Sequence, residues 1–309
     1  MRIKTAIIIL NYKNYTDTIT CVERIFKFSD TDLLTVFVID NDSQNNSLAH
    51  INEHFSGRWN VVQWDDGLTE NAIDANIILV QNSENKGYAY GNNVGLKIAY
   101  NIGYQYLLVL NNDTLFVEDV IPKLKLIVDN DSKVLCAGPL LLKGDGVSVD
   151  FNCAKRRPTY PDIFRLSYFG RFLKTGSWRK KYYYTQNGSG ISTSYPVDIL
   201  SGSCMFFNAG RLHEIGYFDD ATFLYYEEAI LAEKGMQKGY SMVFDPGAKV
   251  IHLGAQSTRK QRTSLFLLDC EYNSLKLYLN KYRKVSGLKL KLITFSNWLF
   301  IQLYKLKSR

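Results

Sequence analysis

Carboxylates and amides gather in four short clusters within the first 114 residues. The clusters are Asn11-Tyr12-Lys13, Asp40-Asn41-Asp42-Ser43, residues 82–93 and Asn111-Asn112-Asp113-Thr114. Carboxylate oxygens are ligands that Mg²⁺ and Mn²⁺ prefer, and substrate phosphates often complete the coordination of such ions. Asp113 is therefore a candidate metal ligand. The alternative for the clusters at 40–43 and 111–114 is a turn with an Asx cap on the following helix.

Gly87-Tyr88-Ala89-Tyr90-Gly91-Asn92-Asn93-Val94-Gly95 is a glycine-rich segment that is predicted to open a helix. It has G-x-x-x-G spacing, but it lacks the Lys-Ser/Thr of a P-loop and the G-x-G-x-x-G of a dinucleotide site. Because the N–H groups of a helix N-terminus attract anions, this segment is a candidate neighbour of a diphosphate.

Short β-branched runs alternate with amphipathic stretches over the first 140 residues. This pattern predicts β-α-β units around a mainly parallel sheet. The predicted strands are 5–10, 34–39, 77–81, 106–110 and 134–137, and the predicted helices are 16–28, 88–101 and 117–128. Asn14 or Thr16 is expected to cap the first helix and Thr114 the last. Ligands of open parallel sheets bind at the carboxyl ends of the strands, so the polar clusters should converge on one site.

The polar clusters, taken in order, resemble the signature of the family 2 glycosyltransferases, in particular the bacterial rhamnosyltransferase-like branch. The resemblance continues through four later motifs and covers about residues 3–258. These motifs are Leu200-Ser201-Gly202-Ser203-Cys204-Met205, Ile215-Gly216-Tyr217-Phe218-Asp219, Phe223-Leu224-Tyr225-Tyr226-Glu227-Glu228 and Val250-Ile251-His252-Leu253-Gly254. One such motif is weak evidence, whereas eight in the same order are specific.

This resemblance implies an α/β protein with the GT-A fold, in which helices flank a mainly parallel central sheet, followed by a basic helical extension. It divides the chain into a GT-A domain over residues 1–260 and amphipathic basic helices over residues 261–309. Within the first domain, residues 1–140 would bind the nucleotide sugar and residues 141–260 the acceptor. The implied reaction is the inverting transfer of a sugar from a nucleotide-diphosphate donor to a glycan acceptor.

The resemblance also implies which residues contact the donor. Asp40 would contact the nucleoside, and Asp113, the last position of the D-x-D-like motif, would bind the Mn²⁺ or Mg²⁺ that bridges the diphosphate. His252 could complete the metal site, although a lone His between apolar residues is as often a core residue. Asn111 stands where the family often has Asp or Asn, which implies fewer direct metal ligands. The remaining residues of the predicted donor site are Asn11, Asp42, Asn85, Gly87, Asn92 and Asn112.

The Glu227-Glu228 pair matches the Glu-Asp pair of the family, whose second member is the general base. Inversion needs a base because the acceptor hydroxyl must lose its proton while it attacks the anomeric carbon opposite the diphosphate. Adjacent helical residues diverge by about 100°, so only one of the two can face the cleft. We assign the base to Glu228 with Glu227 as the alternative, and the structural alternative is an acidic turn that opens a helix. Ile230 stands where many relatives have another Asp, and Glu228 itself replaces the usual Asp.

The net charge of +7 over 309 residues is unevenly distributed. Residues 1–154 carry 12 Lys and Arg against 19 Asp and Glu, residues 155–181 carry 9 against 1, and residues 260–309 carry 11 against 2. We expect no nucleic-acid partner, because no nucleic-acid-binding module accompanies the basic segments and the predicted catalytic half is acidic. The aromatic and basic segment 155–181 instead favours an acceptor lid or a membrane-facing surface.

Residues 264–309 are predicted to form one or two helices rich in Leu, Tyr and Lys. The uncharged stretch 292–304 is flanked by lysines and is too short to cross a hydrocarbon core of about 30 Å, so we predict an interfacial helix on an anionic membrane. The alternative is a helix packed on the catalytic domain or on a second subunit, which would make a homodimer.

Five scattered cysteines without C-x-x-C spacing argue against a disulfide framework and a zinc site. The apolar stretch 6–10 is too short for the core of a signal peptide. These features predict a cytoplasmic protein that is peripheral on the inner face of the cell membrane.

Two functions are consistent with these observations. The first is a metal-dependent inverting glycosyltransferase of surface-polysaccharide biosynthesis, which moves a sugar, with rhamnose as a candidate, from a nucleotide-diphosphate donor to a lipid-linked glycan. The second is a catalytically silent subunit that binds nucleotide sugar or glycan, which the residues Asn111 and Ile230 motivate.

Overall fold

A mixed, mostly parallel β-sheet flanked by helices forms the centre of the protein. The computed structural model describes residues 4–65, 74–187, 193–254 and 264–307. The strands are β1 (Thr5–Asn11), β2 (Leu34–Asp40), β3 (Val61–Gln63), β4 (Ile77–Gln81), β5 (Tyr106–Asn111), β6 (Thr114–Phe116), β7 (Val134–Leu142), β8 (Ala154–Lys155), β9 (Tyr195–Val197), β10 (Ile199–Leu200), β11 (Cys204–Asn208) and β12 (Ser241–His252). The helices are α1 (Tyr15–Phe28), α2 (Ser47–Phe55), α3 (Tyr88–Ile102), α4 (Ile121–Asn130), α5 (Tyr160–Leu166), α6 (Gly176–Tyr182), α7 (Ala209–Glu214), α8 (Glu227–Gln237), α9 (Leu265–Leu277) and α10 (Gly287–Lys307).

The first half of the sheet consists of parallel strands in the order β3-β4-β2-β1-β5. The strands β1 and β2 are buried on both faces, as expected for near-continuous runs of β-branched residues in a parallel sheet covered by helices. All five predicted strands are present, and four of them extend beyond the predicted C-terminal residue. The register places Asn11 beside Asp40 at the carboxyl ends of β1 and β2.

The predicted cap at Thr114 is wrong. Thr114 begins β6, which pairs antiparallel with β12, and its register partner there is His252. The helix predicted from residue 117 begins instead at Ile121, where Pro122 occupies one of the first helical positions. Because strand pairing already satisfies the backbone of β6, the helix starts only after it. The predicted cap of α1 is confirmed at Asn14, whose side chain accepts a hydrogen bond from Asp17 N–H.

The second half of the sheet continues in the order β11-β7-β12-β6, and β9 pairs antiparallel with residues 242–244 of β12. Strand β11 is antiparallel to both β5 and β7, and its first residue, Cys204, pairs with Leu110. Because β11 lies between β5 and β7, the preceding segment 201–203 lies against the end of β5, where Asn111 N–H donates to the Ser203 carbonyl. The outer pair β12 and β6 then places His252 at the same edge.

The C-terminal residues form two helices, where the sequence predicts one or two, and both pack on the rest of the protein. The Ser274 hydroxyl of α9 donates to the Leu224 carbonyl over 2.7 Å, and the Tyr278 ring stacks on Tyr226. Lys281, in the π-helical turn after α9, donates to Asp219 over 2.7 Å. Within the described ranges, no helix is both long and apolar enough to cross a membrane.

Candidate active site

Asp40 organises the edge of the sheet at the ends of β1 and β2. Its buried carboxylate accepts hydrogen bonds from Asn11 Nδ2 at 2.6 Å, from Gln81 Nε2 at 3.1 Å and from both the N–H and the hydroxyl of Ser43. Both carboxylate oxygens are therefore engaged within the chain. The neighbouring Asp42 is half-buried and has a positive φ of 59°, and its carboxylate accepts a hydrogen bond from Gln44.

The turn before α3 is held by a network of asparagines. Asn85 Oδ1 accepts hydrogen bonds from Asn41 Nδ2 and from Gly87 N–H, each at 2.9 Å. Gly87 has φ 99°, and a Cβ there would lie 2.2 Å from the Phe223 carbonyl oxygen. Only glycine fits this close approach without a shift of backbone, and the contact joins the start of α3 to the segment before the Glu227-Glu228 pair.

Three other predicted donor residues form hydrogen bonds within the chain. Asn92 is buried in α3 and donates to the Tyr88 carbonyl. The Tyr88 hydroxyl lies 3.1 Å from Asn111 Oδ1 and 2.9 Å from the Gly202 carbonyl oxygen, so these two acceptors share its one hydrogen. Asn112 faces the start of α1, where its Nδ2 donates to Thr18 Oγ1 over 3.1 Å.

Asp113 and His252, the two predicted metal ligands, are neighbours. His252 Nε2 lies 3.5 Å from Asp113 Oδ1 and 3.3 Å from the Ser203 hydroxyl, and its Nδ1 lies 3.3 Å from Asp150 Oδ2. Burial lowers the pKa of His252, but hydrogen bonds to Asp113 and Asp150 outweigh this effect and raise it to about 9. The imidazole is therefore protonated at neutral pH in the metal-free protein.

This pair fits part of a divalent-cation site. A carboxylate oxygen and an imidazole nitrogen 3.5 Å apart are close enough to bind one ion, and both are donor types that Mn²⁺ accepts. Among the residues described, no group of three or more His, Cys, Asp or Glu is arranged to hold a metal. A cation bound here would therefore take its other ligands from substrate phosphates and water, as Mg²⁺ commonly does.

The Glu227-Glu228 pair forms the first turn of α8, and the two side chains have different environments. Glu228 is held from two sides, because Lys155 Nζ lies 2.7 Å from Oε2 and the Gly202 N–H donates to Oε1. Glu227 Oε2 is buried and has no hydrogen-bond partner among the described residues. Burial and the neighbouring charge of Glu228 raise the pKa of Glu227 to about 7.

The segment Ser201-Gly202-Ser203 links the metal-ligand pair to the glutamate pair. Gly202 contacts Glu228 through its N–H, and the hydroxyl of Ser203 contacts His252. The predicted metal ligands and the predicted base therefore lie on either side of one three-residue segment.

The sequence alone predicted no functional role for several residues of this site. Gly202 and Ser203 lie in a motif used for the resemblance, and Tyr88 lies in the glycine-rich segment, so the motifs offered a signal for them. The sequence offered no such signal for Lys155 and Asp150. Lys155 is one of nine basic residues in its segment, and Asp150 stands alone in a region without a motif.

The comparison with known protein families decides the family of this chain. The profile of glycosyl transferase family 2 matches residues 6–177, which is more than half of the sequence. The chain belongs to glycosyltransferase family 2. The matched residues include the Asp40, Asn85 and Asp113 clusters, and they end before the Glu227-Glu228 pair.

Two curated relatives are similar to this transferase. It is 29% identical over 127 residues to the N-acetylglucosaminyl-diphospho-decaprenol L-rhamnosyltransferase of Mycobacterium tuberculosis. The aligned residues cover 41% of this chain and 40% of that protein. It is 26% identical over 224 residues to the low-salt glycan biosynthesis hexosyltransferase Agl10 of Haloferax volcanii, covering 72% of this chain and 58% of that protein. The matched segments thus span only about half the length of these relatives.

A solved structure with a similar fold is that of GalNAc-T7 with UDP, GalNAc and Mn²⁺. It superposes on 94% of this chain and 49% of the neighbour with a TM-score of 0.61 at 14% sequence identity. This similarity concerns the fold alone, and it confirms the prediction of the GT-A fold with a C-terminal helical segment.

Proposed function

We propose that this transferase moves a sugar from a nucleotide-diphosphate donor to a lipid-linked glycan with inversion at the anomeric carbon. The observation that carries the proposal is the segment Ser201-Gly202-Ser203, which contacts Glu228 on one side and His252 on the other. A transferase of this kind needs a group that neutralises the diphosphate and a base for the acceptor. The segment 201–203 holds candidates for both within one site.

In this proposal, Asp113 and His252 hold Mn²⁺ or Mg²⁺ at the donor diphosphate. The bound cation would neutralise charge that develops on the leaving diphosphate. His252 would give up its proton to become a ligand, since only the neutral imidazole binds metal. GalNAc-T7, which shares the fold, has been solved with UDP and Mn²⁺, and this supports a nucleotide donor.

The acceptor hydroxyl attacks the anomeric carbon while the bond from that carbon to the diphosphate breaks. The hydroxyl proton passes to a carboxylate on the acceptor side, and the nucleoside diphosphate leaves with the bonding electrons. We assign this base to Glu228, because Lys155 Nζ and the Gly202 N–H hold its carboxylate in place from two sides. An acceptor hydroxyl would then replace one of these two partners.

Glu227 is the alternative base, and two observations favour it. Its pKa of about 7 is close to the operating pH, which is the value that suits a general base. Its buried Oε2 has no hydrogen-bond partner in the described part of the chain, so a substrate hydroxyl could supply one. Substitution of each residue separates the two assignments.

The acceptor and the sugar are inferred from the relatives. The mycobacterial relative is named for rhamnosyl transfer to N-acetylglucosaminyl-diphospho-decaprenol, and the archaeal one for hexosyl transfer in glycan biosynthesis. We therefore propose a lipid-linked acceptor, with rhamnose as the first donor sugar to test. Such an acceptor would keep the enzyme at the cytoplasmic face of the membrane, with residues 261–309 in contact with lipid.

The test is transfer by the purified full chain. A panel of nucleotide sugars is first screened by thermal shift with Mn²⁺, with Mg²⁺ and with EDTA, since a donor at 100 times its Kd stabilises the protein by about 2.7 kcal/mol. The donors that bind are then incubated with polyprenyl-diphosphate-linked N-acetylglucosamine, and NMR of the product reports the anomeric configuration. Retention of configuration would refute the inverting mechanism. Donor binding without transfer to any lipid-linked acceptor would favour the catalytically silent subunit.

A further inference from the structure

The exposed apolar side chains of this protein are concentrated in two segments that are far apart in sequence. Of the 19 large apolar side chains exposed in the described ranges, 11 lie either within residues 164–173 or in α10. Single exposed apolar residues are ordinary, whereas a concentration of them marks an interaction surface. These two segments are therefore the part of the surface where a partner is expected.

The two segments pack against each other and make one surface. The Ser167 hydroxyl donates to Ser296 Oγ of α10 over 2.8 Å in a buried contact. The Tyr168 ring stacks on Phe300 with the ring centroids 3.5 Å apart. We call this surface the platform, which consists of residues 164–173 together with α10. Phe172, with 79% of its surface exposed, and Leu173 project from the first segment.

The helix α10 presents a continuous apolar face to the outside. The exposed residues on this face are Leu288, Leu292, Phe295, Leu303 and Leu306. Their spacing follows the helical repeat, so they share one side of the helix. Thr294 and Ile301, which lie on the other side, are buried against the protein, and Ser296 is buried at the border of the two sides. The apolar face is thus turned away from the rest of the chain along the whole of α10.

Lysines border this apolar face on both sides. With 3.6 residues per turn, Lys289 lies along one border, and Lys291 and Lys305 lie along the other. From its position the ammonium group of Lys291, which is exposed, can reach a phosphate while its methylene stem covers apolar surface. The neighbouring helix α6, tied to α5 by the 2.7 Å hydrogen bond from Trp178 to Asp162, adds three exposed cations, Arg179, Lys180 and Lys181.

We propose that the platform docks on an anionic lipid bilayer, with α10 lying in the membrane plane and residues 164–173 inserted beside it. An apolar face bordered by lysines is the pattern of helices that lie in the headgroup region. Pairing with a second copy is disfavoured, because it would bring two strongly basic surfaces together. An anionic bilayer supplies the complementary charge.

The platform lies next to the proposed acceptor side of the site. Helix α9 packs against α10, and its Phe266 ring meets Phe223 edge to face at a centroid distance of 5.2 Å. Phe223 belongs to the segment that leads into the Glu227-Glu228 pair. Docking of the platform would therefore hold the base close to the lipid surface. The biological role of this docking rests on the proposed function, whereas the docking itself can be measured without catalysis.

The test is co-sedimentation of the full chain with vesicles of phosphatidylcholine that contain increasing phosphatidylglycerol. We expect binding to rise with the anionic fraction and to fall with salt. The double variant Phe172→Ser/Leu173→Ser and the double variant Leu292→Ser/Phe295→Ser should each partition at least about tenfold less. Lys180→Glu/Lys181→Glu should weaken binding by about fivefold or more for each lysine.

Matched controls carry the same substitutions elsewhere. Leu126→Ser changes an exposed leucine of α4 that is 60% accessible, and Lys133→Glu changes an exposed lysine, so both should partition like the unchanged protein. A second measurement does not depend on destabilising variants. Brominated lipids should quench the fluorescence of the full chain, and Trp298→Phe should remove most of that quenching, because Trp298 is the exposed tryptophan of α10.

Four outcomes would overturn the proposal. Binding that ignores lipid charge and salt would exclude an anionic bilayer as the partner. Unchanged partitioning of Phe172→Ser/Leu173→Ser would exclude residues 164–173 from the docking surface. A lipid-free dimer in sedimentation velocity that the platform substitutions dissociate would identify a second copy as the occupant. If the protein does not bind vesicles but transfers normally to a water-soluble acceptor, the docking is refuted and the proposed function is not. If it binds vesicles but transfers sugar to no acceptor, the proposed function is refuted and the docking is not.

Discussion

Lys155 Nζ lies 2.7 Å from Glu228 Oε2, and both side chains are mostly shielded from water. Burial lowers the pKa of Lys155, but the charge of Glu228 outweighs this effect and holds the pKa above its ordinary value. Lys155 comes from β8 and Glu228 from the first turn of α8, so the pair joins two elements 73 residues apart. A carboxylate held in this way is fixed in orientation, as a general base must be.

We predict that Lys155→Met impairs transfer while leaving donor binding intact. Because Glu228 would lose the cation that holds its carboxylate in place, kcat should fall by up to about 10²-fold, the cost of misplacing a catalytic group by about 1 Å. The measurements are kcat and calorimetric donor affinity, with Lys133→Met as a control for loss of an exposed charge. An unchanged kcat would mean that the Lys155–Glu228 pair is structural.

Glu228→Gln should lower transfer by at least about 10²-fold, the lower end for loss of a positioned base, and should preserve donor affinity. Glu227→Gln should have a smaller effect. Single-turnover transfer and calorimetric donor titration distinguish chemistry from binding for both variants. The reverse order of effects would assign the base to Glu227, and two fully active variants would contradict base catalysis by this pair.

Asp113→Asn should weaken metal-dependent donor binding by more than about 100-fold, since loss of a direct ligand exceeds the 10- to 100-fold cost of losing an outer partner. Titration of Mn²⁺ and donor by calorimetry measures this directly. Asp129→Asn, on the exposed end of α4, is the matched control. Equal metal affinity in Asp113→Asn and the unchanged protein would remove Asp113 from the metal site.

His252 should make the stability of the metal-free protein depend on pH. Its pKa is raised to about 9, so the stabilisation is complete below its unfolded value of 6.5 and is lost as the pH rises through 9. The contribution is on the order of 3 kcal/mol. Urea unfolding in EDTA from pH 6 to 10 should show this loss, and His252→Asn should flatten it. If the unfolding free energy of His252→Asn changes with pH as steeply as that of the unchanged protein, other groups cause the pH dependence.

Metal binding should in turn release a proton from His252 at neutral pH, because the imidazolium cannot be a ligand. Calorimetry of Mn²⁺ in buffers of different ionisation enthalpy counts that proton. His252→Asn should bind Mn²⁺ more weakly and release fewer protons on binding.

Gly87→Ala should destabilise the protein by several kcal/mol, whereas Gly103→Ala should cost only about 1 to 2 kcal/mol. Both glycines have a positive φ near 100°, but a Cβ at 87 meets the Phe223 carbonyl at 2.2 Å and a Cβ at 103 meets no atom within 4 Å. Chemical denaturation of the two variants therefore isolates the cost of the close approach. Equal losses of unfolding free energy would show that the backbone at Phe223 shifts at little energetic cost.

The sequence by itself determined the first half of the sheet and the clusters at its edge. The apolar runs of β1, β2, β4 and β5 are local patterns, and parallel pairing aligns their carboxyl ends, so Asn11 and Asp40 were expected to meet. The ordered motifs also determined the family and the GT-A fold. The Thr114 cap was wrong because pairing of β6 with β12, a contact between distant segments, overrides a local cap signal.

Only the tertiary structure decided which side chains meet across distant segments. Lys155 and Asp150 became partners of Glu228 and His252 because the chain path through β8 and β12 brings them there, and no spacing in the sequence encodes that path. The platform arises in the same way. Residues 164–173 and α10 each carry exposed apolar side chains, but their union depends on contacts such as Ser167 with Ser296, 129 residues apart. Local periodicity indicates which face of an element is apolar, whereas packing between elements decides whether that face is buried or left exposed.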